Sequence, residues 1–182
     1  DSVKKFNAII GSGGLVVMDE NTCMVDVAKF FMGFTQRESC GKCGPCRIGT
    51  KRMLELLNKI TRGEGKMEDL DKLEETAKFI QSRSLCGLGK SAPLPVISTM
   101  QNFRNEYEEH ILENKCRAHV CEAMKVYTID PDKCKGCTKC ARNCPVNAIT
   151  GEKKEPHTID QTKCIKCGTC MDNCSFGAIS IK

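Results

Sequence analysis

Eight of the 15 cysteines in this 182-residue chain lie in two runs with the same spacing, C-x2-C-x2-C-x3-C. The first three thiolates of such a run can bind one face of an iron–sulfur cubane. The fourth cysteine begins a helix that leads away from that cluster, so its thiolate reaches the other cluster. The spacing therefore predicts two [4Fe-4S] clusters with exchanged fourth ligands. The predicted ligand sets are Cys134, Cys137, Cys140 and Cys174 for one cluster, and Cys164, Cys167, Cys170 and Cys144 for the other.

This segment, about a third of the chain, resembles the bacterial two-cluster ferredoxins, which carry the same spacing. Pro145 follows the first run as in that family, whereas Ser175 stands at the same place after the second run. That position is not a ligand, so the difference affects only the local start of a helix. Two zinc sites are the alternative, but zinc usually takes two Cys-x2-Cys pairs separated by a longer loop. Two identical four-cysteine runs do not fit that scheme.

A third C-x2-C-x2-C run, formed by Cys40, Cys43 and Cys46, lies upstream and has no fourth cysteine close by. Cys86 stands alone after two segments with helical periodicity, and an antiparallel helix pair would return it to the run. The four thiolates would then bind a third [4Fe-4S] cluster. A three-cysteine zinc site or a set of buried thiols is the alternative.

Three cysteines belong to none of these sets: Cys23, Cys116 and Cys121. Three thiolates and one imidazole make a closed tetrahedral zinc site. His110 could supply the imidazole, and His119 is a rival in a more cramped position. The alternative is that all three cysteines are ordinary buried residues, since free cysteine packs well. His157, in the loop between the two C-terminal runs, is predicted to be solvated.

The elements that must position these ligands differ between the two parts of the chain. Residues 22–115 show helical periodicity in four segments, the fourth running from Pro95 through Ile111, which indicates a helical bundle. Residues 122–182 are an internal duplication with an offset of 30 residues, each half predicted as strand, cluster loop, short helix and strand. The predicted class is α+β. The predicted parts are residues 1–21, 22–115 (four-helix iron–sulfur domain), 116–124 (zinc-site linker) and 125–182 (ferredoxin domain).

Composition narrows the possible functions. The formal charge of +5 treats every cysteine as neutral, and three clusters of about −2 each would bring it to about −1. The basic residues therefore offset cluster charge and do not indicate nucleic-acid binding. So many thiols favour a reducing cytoplasm over a secreted disulfide scaffold. No apolar run could span a membrane, and no catalytic set or nucleotide loop is present in this chain alone.

The run ESCGKCGPCRIGTKRMLELL followed by SLCGLGKSAP closely resembles the NADH-oxidising flavoprotein subunit of respiratory complex I. The resemblance implies a four-helix domain whose cluster is bound by Cys40, Cys43, Cys46 and Cys86. It also implies that residues 1–21 end a ubiquitin-like domain, so the glycine loop at 11–14 is not a nucleotide site. FMN and NAD(P) are expected only in a missing upstream region, which makes the chain a part of a longer subunit.

The appended ferredoxin module is similar to the beta subunit of NAD(P)-reducing, electron-bifurcating [FeFe]-hydrogenases and related formate dehydrogenases. That resemblance implies an oxidoreductase complex with a catalytic hydrogenase subunit, a small [2Fe-2S] thioredoxin-like subunit and a soluble ferredoxin as possible partners. The expected role is an electron relay between the flavin and these partners. The alternatives are the same relay in a formate dehydrogenase, or an interaction module in which the clusters only stabilise the fold.

Overall fold

The computed structural model describes residues 16–181 and divides the chain into two compact units, Asp1–Met124 and Lys125–Lys182. Residues 1–15, which include the predicted glycine loop and most of the predicted ubiquitin-like segment, lie outside the described residues. No helix within residues 16–181 has the length and apolar character needed to cross a lipid bilayer.

The first unit is helical. Its helices are α1 (Met24–Glu38), α2 (Gly44–Thr61), α3 (Met67–Arg83), α4 (Gly87–Ser91), α5 (Leu94–Asn102) and α6 (Arg104–Leu112), followed by a 3₁₀ turn at Glu122–Met124. Helix α2 packs against both α1 and α3, and their buried faces form the core. The Ile80 side chain of α3 packs directly on α2 at Gly49, where a Cβ atom would lie 2.5 Å from Cγ1 of Ile80.

The fourth predicted helix is in fact two helices, and the prediction of one continuous helix was wrong. The break is at Phe103, whose φ of −133° and ψ of 34° are not helical. In an unbroken helix Thr99 and Tyr107 would lie about 12 Å apart along the axis. The break lets the buried Tyr107 hydroxyl form a hydrogen bond of 2.8 Å with the Thr99 hydroxyl. It also places His110, one turn of helix further on, in the interior.

The second unit has two halves of like structure. The first half contains β1 (Tyr127–Ile129), α7 (Lys139–Arg142) and β2 (Ile149–Thr150), and the second contains β3 (Thr158–Ile159), α8 (Thr169–Asp172) and β4 (Ile179–Ile181). Strand β1 pairs antiparallel with β4, and β2 pairs antiparallel with β3. The halves are therefore interleaved, since the first strand of one pairs with the last strand of the other.

The core of the second unit is small and contains cysteines as well as aliphatic residues. Its buried members are Tyr127, Cys140, Ile149, Cys170 and Ile179, and Cys144 and Cys174 pack against them. A core of this size rarely stabilises a small domain without a metal or disulfide. The thiols that are available for cluster binding are thus also part of the packing.

Candidate iron–sulfur and metal sites

The eight cysteines of the second unit surround two cavities of similar size, about 330 and 320 Å³ including space open to solvent. We call them site A and site B. The cysteines at site A are Cys134, Cys137, Cys140 and Cys174, and those at site B are Cys144, Cys164, Cys167 and Cys170. Each cavity thus takes three thiols from one run and the last thiol from the other run.

The two exchanged cysteines are held in the same way. The Cys144 sulfur accepts a hydrogen bond from the backbone N–H of Ala148 at 3.3 Å, and the Cys174 sulfur accepts one from Ala178 at 3.3 Å. These two alanines also hold the halves together, since the Asp160 N–H donates to the Ala148 carbonyl and the Asp130 N–H to the Ala178 carbonyl, both at 2.7 Å. A backbone donor directed at sulfur stabilises a thiolate, which is the form that binds metal.

The thiols within each run have different environments. Burial raises the pKa of Cys140, and it raises the pKa of Cys170 to about 11. The exposed Cys167 is the opposite case, because the Thr169 hydroxyl lowers the pKa of its thiol. Buried thiols of raised pKa are poor thiolates unless a positive centre lies beside them. The iron atoms of a cluster would supply that charge at both sites, so the residues present fit the group.

His157 is a wall residue of site A, and the prediction that it is solvated was wrong. It is only 3% exposed and lines the cavity together with the four cysteines. The loop at residues 151–156 folds back onto the cluster loop, where the Lys154 N–H donates to the Gly136 carbonyl at 3.0 Å. A Cβ atom at Gly151 would lie 2.7 Å from Cγ of His157, so the loop backbone covers the ring. The offset of 30 residues, which aligns His157 with Tyr127, was the sequence signal that could have found it.

At the upstream site, the segment that carries Cys86 lies beside the first run. Cys43 is the residue before α2, Cys46 is buried in the first turn of that helix, and Cys86 is the residue before α4. The backbone N–H of Leu85 lowers the pKa of the Cys43 thiol. A Cβ atom at Gly89 would lie 3.3 Å from Cβ of Cys46. Helices α2 and α3 thus return the Cys86 segment to the run, and Cys40 lies in the loop before α2.

The three remaining cysteines lie together with His110. The ligand atoms of Cys23, His110, Cys116 and Cys121 are all within 4.8 Å of one another, and all four residues are buried. The His110 Nε2 atom is 3.3 Å from the Cys23 sulfur and 3.4 Å from the Cys121 sulfur, and these two sulfurs are 3.9 Å apart. A tetrahedral zinc ion requires S–S distances of about 3.8 Å and S–N distances of about 3.6 Å. The donor set and its dimensions fit zinc.

The orientation of the His110 ring suits a metal ligand. Its Nδ1–H donates to the backbone carbonyl of Glu106 at 2.7 Å, which leaves the lone pair of Nε2 directed at the three sulfurs. The Cys23 sulfur also accepts a hydrogen bond of 3.4 Å from the Asp26 N–H, as the cap of α1. His119 is half-buried in a left-handed turn (φ 53°) and is not a member of this group.

Without a metal ion, the pKa values of His110, Cys116 and Cys121 are set mainly by the protons that the four side chains of this cluster share. Burial alone would lower the pKa of His110, but hydrogen bonds to the Cys116 and Cys23 sulfurs outweigh it and raise the pKa to about 10. Hydrogen bonds from Cys121 and Cys23 hold the pKa of the Cys116 thiol far below its usual range, and the Cys121 thiol is shifted in the opposite direction. A divalent cation would replace these shared protons with one positive charge.

The fold and the cysteine sites define an iron–sulfur electron-transfer protein. Residues 26–110 match the NADH-ubiquinone oxidoreductase-F iron–sulfur binding region, and residues 133–178 match the 4Fe-4S dicluster domain. These two regions of the chain match two iron–sulfur families, and the predicted resemblance is confirmed. [4Fe-4S] clusters are accordingly its cofactors.

Named relatives support the same assignment. The chain is 56% identical over 156 residues to the NADP-reducing hydrogenase subunit HndC of Solidesulfovibrio fructosivorans, which is 86% of this chain and 32% of that protein. It is 42% identical over 116 residues to an NADH-quinone oxidoreductase subunit of Streptomyces coelicolor, which is 64% of this chain and 26% of that protein. The chain therefore spans about a third or less of the length of these relatives.

A solved structure resembles about half of the chain. It is a crystal structure of an NAD+-reducing [NiFe]-hydrogenase in the H2-reduced state, with 34% sequence identity and a TM-score of 0.51. The match covers 52% of this chain and 17% of that one. The names of these relatives describe redox proteins that act on nicotinamide nucleotides, on quinones or on hydrogen.

Proposed function

We propose that this chain is an electron relay within a longer subunit of an NAD(P)-dependent hydrogenase. Electrons pass between a flavin and NAD(P) site upstream in the same subunit and the partners of the complex. The partners are a catalytic hydrogenase subunit, a small [2Fe-2S] thioredoxin-like subunit and, in an electron-bifurcating complex, a soluble ferredoxin. The cytoplasm is the compartment proposed for it. The observation that carries the proposal is the presence of three cysteine sites of cluster type within one chain.

The proposed cluster ligands are three sets of four cysteines. Site A holds one [4Fe-4S] cluster through Cys134, Cys137, Cys140 and Cys174, and site B holds a second through Cys144, Cys164, Cys167 and Cys170. The upstream site holds a third through Cys40, Cys43, Cys46 and Cys86. Support comes from the two four-thiol cavities and from the approach of the Cys86 segment to Cys43 and Cys46.

Each bound cluster supplies one-electron transfer between two oxidation states. The chain's own residues favour the thiolate form at some of the ligands and line the cavities with apolar groups. Backbone N–H groups of Ala148, Ala178 and Leu85 act on sulfur atoms, and aliphatic side chains form the other walls. A flavin releases electrons singly as well as in pairs, so several one-electron sites in series suit a relay that begins at a flavin.

The test is metal analysis and redox titration of the full chain prepared without oxygen. About twelve iron atoms per chain are expected, all in clusters that dithionite reduces. Cys86→Ser should remove the spectroscopic signal of one cluster, and Cys174→Ser should alter a different one. Four or eight irons in the unsubstituted chain would overturn the three-cluster assignment. Clusters that stay oxidised with a flavin donor and with dithionite would favour the alternative of a cluster-stabilised interaction module.

A formate dehydrogenase is the second candidate for the complex. The 56% identity to a subunit of an NADP-reducing hydrogenase favours the hydrogenase. Purification of the native complex and assay with hydrogen and with formate distinguishes the two. Reduction of NAD(P)+ by formate and not by hydrogen would overturn the hydrogenase assignment.

We further propose a structural zinc ion at Cys23, His110, Cys116 and Cys121. The site ties the start of α1 to the end of α6 and the following segment, elements that are far apart in sequence. One zinc per chain is expected. His110→Asn should lose it, whereas the matched control His119→Asn should retain it, because asparagine tolerates the left-handed turn at that position. Zinc retained in His110→Asn and lost in His119→Asn would assign the ligand to His119.

A further inference from the structure

The duplication of the second unit makes sites A and B comparable residue by residue. An offset of 30 residues superimposes the sequence of one half on that of the other. Most wall positions are the same in the two cavities, for example Ile129 at site A and Ile159 at site B. Four wall positions differ in charge or polarity. They are His157, Lys135, Lys139 and Thr138 at site A, which correspond to Tyr127, Ile165, Thr169 and Gly168 at site B.

His157 has an unsatisfied nitrogen at site A. Its Nδ1–H donates to the Glu155 carbonyl at 3.1 Å, and its buried Nε2 atom has no hydrogen-bond partner among the described residues. A buried polar atom left unpaired costs about 1–3 kcal/mol, so native structures normally pair it. The sulfur atoms of a bound cluster are acceptors that would face this cavity wall.

Site B has a different group at the corresponding place. Tyr127 is 4% exposed, and burial raises the pKa of its hydroxyl, so it stays neutral. A Cβ atom at Gly168 would lie 3.0 Å from that hydroxyl oxygen, which shows how closely the phenol covers the cluster loop. The tyrosine therefore fills the wall of site B without adding charge. Ile165 and Thr169 likewise replace the two lysines of site A by uncharged groups.

The two lysines and the His157 nitrogen at site A act on reduction in one direction, whereas the Thr169 hydroxyl, which lowers the pKa of the Cys167 thiol at site B, acts in the other. A [4Fe-4S] cluster held by four thiolates is anionic and becomes more so when it gains an electron. Its potential depends on nearby charge and on hydrogen bonds to its sulfurs. Positive groups and donors stabilise the reduced state. His157 is the stronger of these influences because it is buried, whereas Lys135 and Lys139 are exposed and partly screened by salt.

We propose that the two clusters of the second unit are unequal and that His157, with Lys135 and Lys139, gives the cluster at site A the higher reduction potential. The inference rests on the proposed function and adds to it the direction of electron transfer between the two clusters. A reduced cluster at site B passes one electron to an oxidised cluster at site A, so that B is oxidised by one electron and A is reduced by one. No other reactant is required. When the second unit holds a single electron, that electron resides mainly at site A.

The test is an EPR-monitored redox titration of the full chain with dithionite. At half reduction of the pair, site A is expected to hold at least tenfold more of the electron than site B, which corresponds to 59 mV for a one-electron couple. Site A is identified by pulsed EPR of protein labelled with ¹⁵N-histidine. His157 is the only histidine in the second unit, so its nitrogen coupling should appear on the higher-potential cluster.

Exchange of the two residues provides the matched variants. His157→Tyr copies site B and should lower the potential of cluster A, with a loss of about tenfold in its preference for the electron. Tyr127→His copies site A and should raise the potential of cluster B and add a second histidine coupling. Lys135→Ile should produce a smaller shift that shrinks at high salt.

The outcomes separate this inference from the proposed function. If the second unit binds no reducible clusters, the proposed function fails. If both clusters assemble but titrate together, or if the histidine coupling lies on the lower-potential cluster, only the inference is overturned. Iron content is measured on each variant, so a variant that fails to assemble is recognised. Tyr127→His then decides the question, since an unchanged cluster B potential in an assembled variant would overturn the proposal.

Discussion

The glycines of α4 allow a sharp test of how the upstream site is built. Gly89 lies where α4 passes the first turn of α2. A methyl group there would be 2.6 Å from Cβ and 2.7 Å from Oγ of Ser84, and 3.3 Å from Cβ of Cys46. The first two distances are well inside van der Waals contact, and Ser84 is buried, so it cannot swing into solvent. Gly89→Ala should therefore push the Cys86 segment away from the first run.

The expected magnitude follows from two opposing contributions. Overpacking of a buried contact costs about 1–3 kcal/mol, and replacing glycine by alanine within a helix returns at most about 1 kcal/mol. With the full 1 kcal/mol returned, the net loss in the free energy of unfolding is about 0–2 kcal/mol, which lowers the midpoint of thermal unfolding by up to about 8 °C for a protein of this size. The matched control is Gly87→Ala, two residues away in the same helix, where no heavy atom lies within 4 Å of the new methyl group.

The assay is EPR of the reduced protein together with the iron content and the unfolding midpoint. Gly89→Ala should weaken or broaden the signal of the proposed upstream cluster and leave the signals of the two proposed ferredoxin-type clusters unchanged. Gly87→Ala should behave as the unsubstituted protein, although it is the glycine adjacent to Cys86. Equal behaviour of the two variants would refute the view that close packing of α4 on α2 positions the fourth ligand.

Three further substitutions test other parts of the fold. Asp69 is buried, lies 2.6 Å from the ammonium of Lys59 and caps α3. Asp69→Ala should therefore cost about 1–3 kcal/mol in the free energy of unfolding, and Asp69→Asn should cost clearly less, because asparagine can still cap the helix. Equal costs in denaturant titrations would count against the capping role. Tyr107→Phe should cost about 1 kcal/mol, because it removes the buried hydroxyl bond that accompanies the helix break, and an unchanged unfolding midpoint would contradict this. Gly136 and Gly177 both have positive φ, but of the two only Gly136 lies so close to backbone atoms that an added Cβ atom would meet them, at 2.4–2.6 Å. Gly136→Ala should therefore lower the iron content of site A, whereas Gly177→Ala should retain it. Equal iron content in the two variants would refute the steric argument.

The cysteine pattern was predictable because ligand spacing is a local property. Three thiolates within seven residues can reach one cluster whatever the rest of the chain does, and the duplication repeats that local solution 30 residues later. The resemblance to hydrogenase and complex I subunits was likewise carried by short runs of residues. Both were therefore accessible without a structure, and the comparisons confirm the iron–sulfur class and the relatedness.

The errors have a different origin. The fourth helix was predicted as continuous because its apolar residues keep a helical period through Phe103. Periodicity reports which face is apolar and does not report where a helix must bend to reach a partner. The break at Phe103 is favoured by tertiary contacts, in which Tyr107 reaches Thr99 and His110 reaches the three buried cysteines.

The sequence by itself determined the chemistry of this protein: sulfur ligands at cluster spacing, a duplicated module and spare thiols with an imidazole available. Only the tertiary structure decided which distant groups meet. Cys23 and His110 are 87 residues apart and their ligand atoms are 3.3 Å apart, and His157, predicted to be solvated, forms a buried wall of site A. The physical reason is that burial is a property of the packed chain. A loop covers a histidine only when its backbone finds hydrogen-bond partners on a distant segment, as residues 151–156 do on the cluster loop.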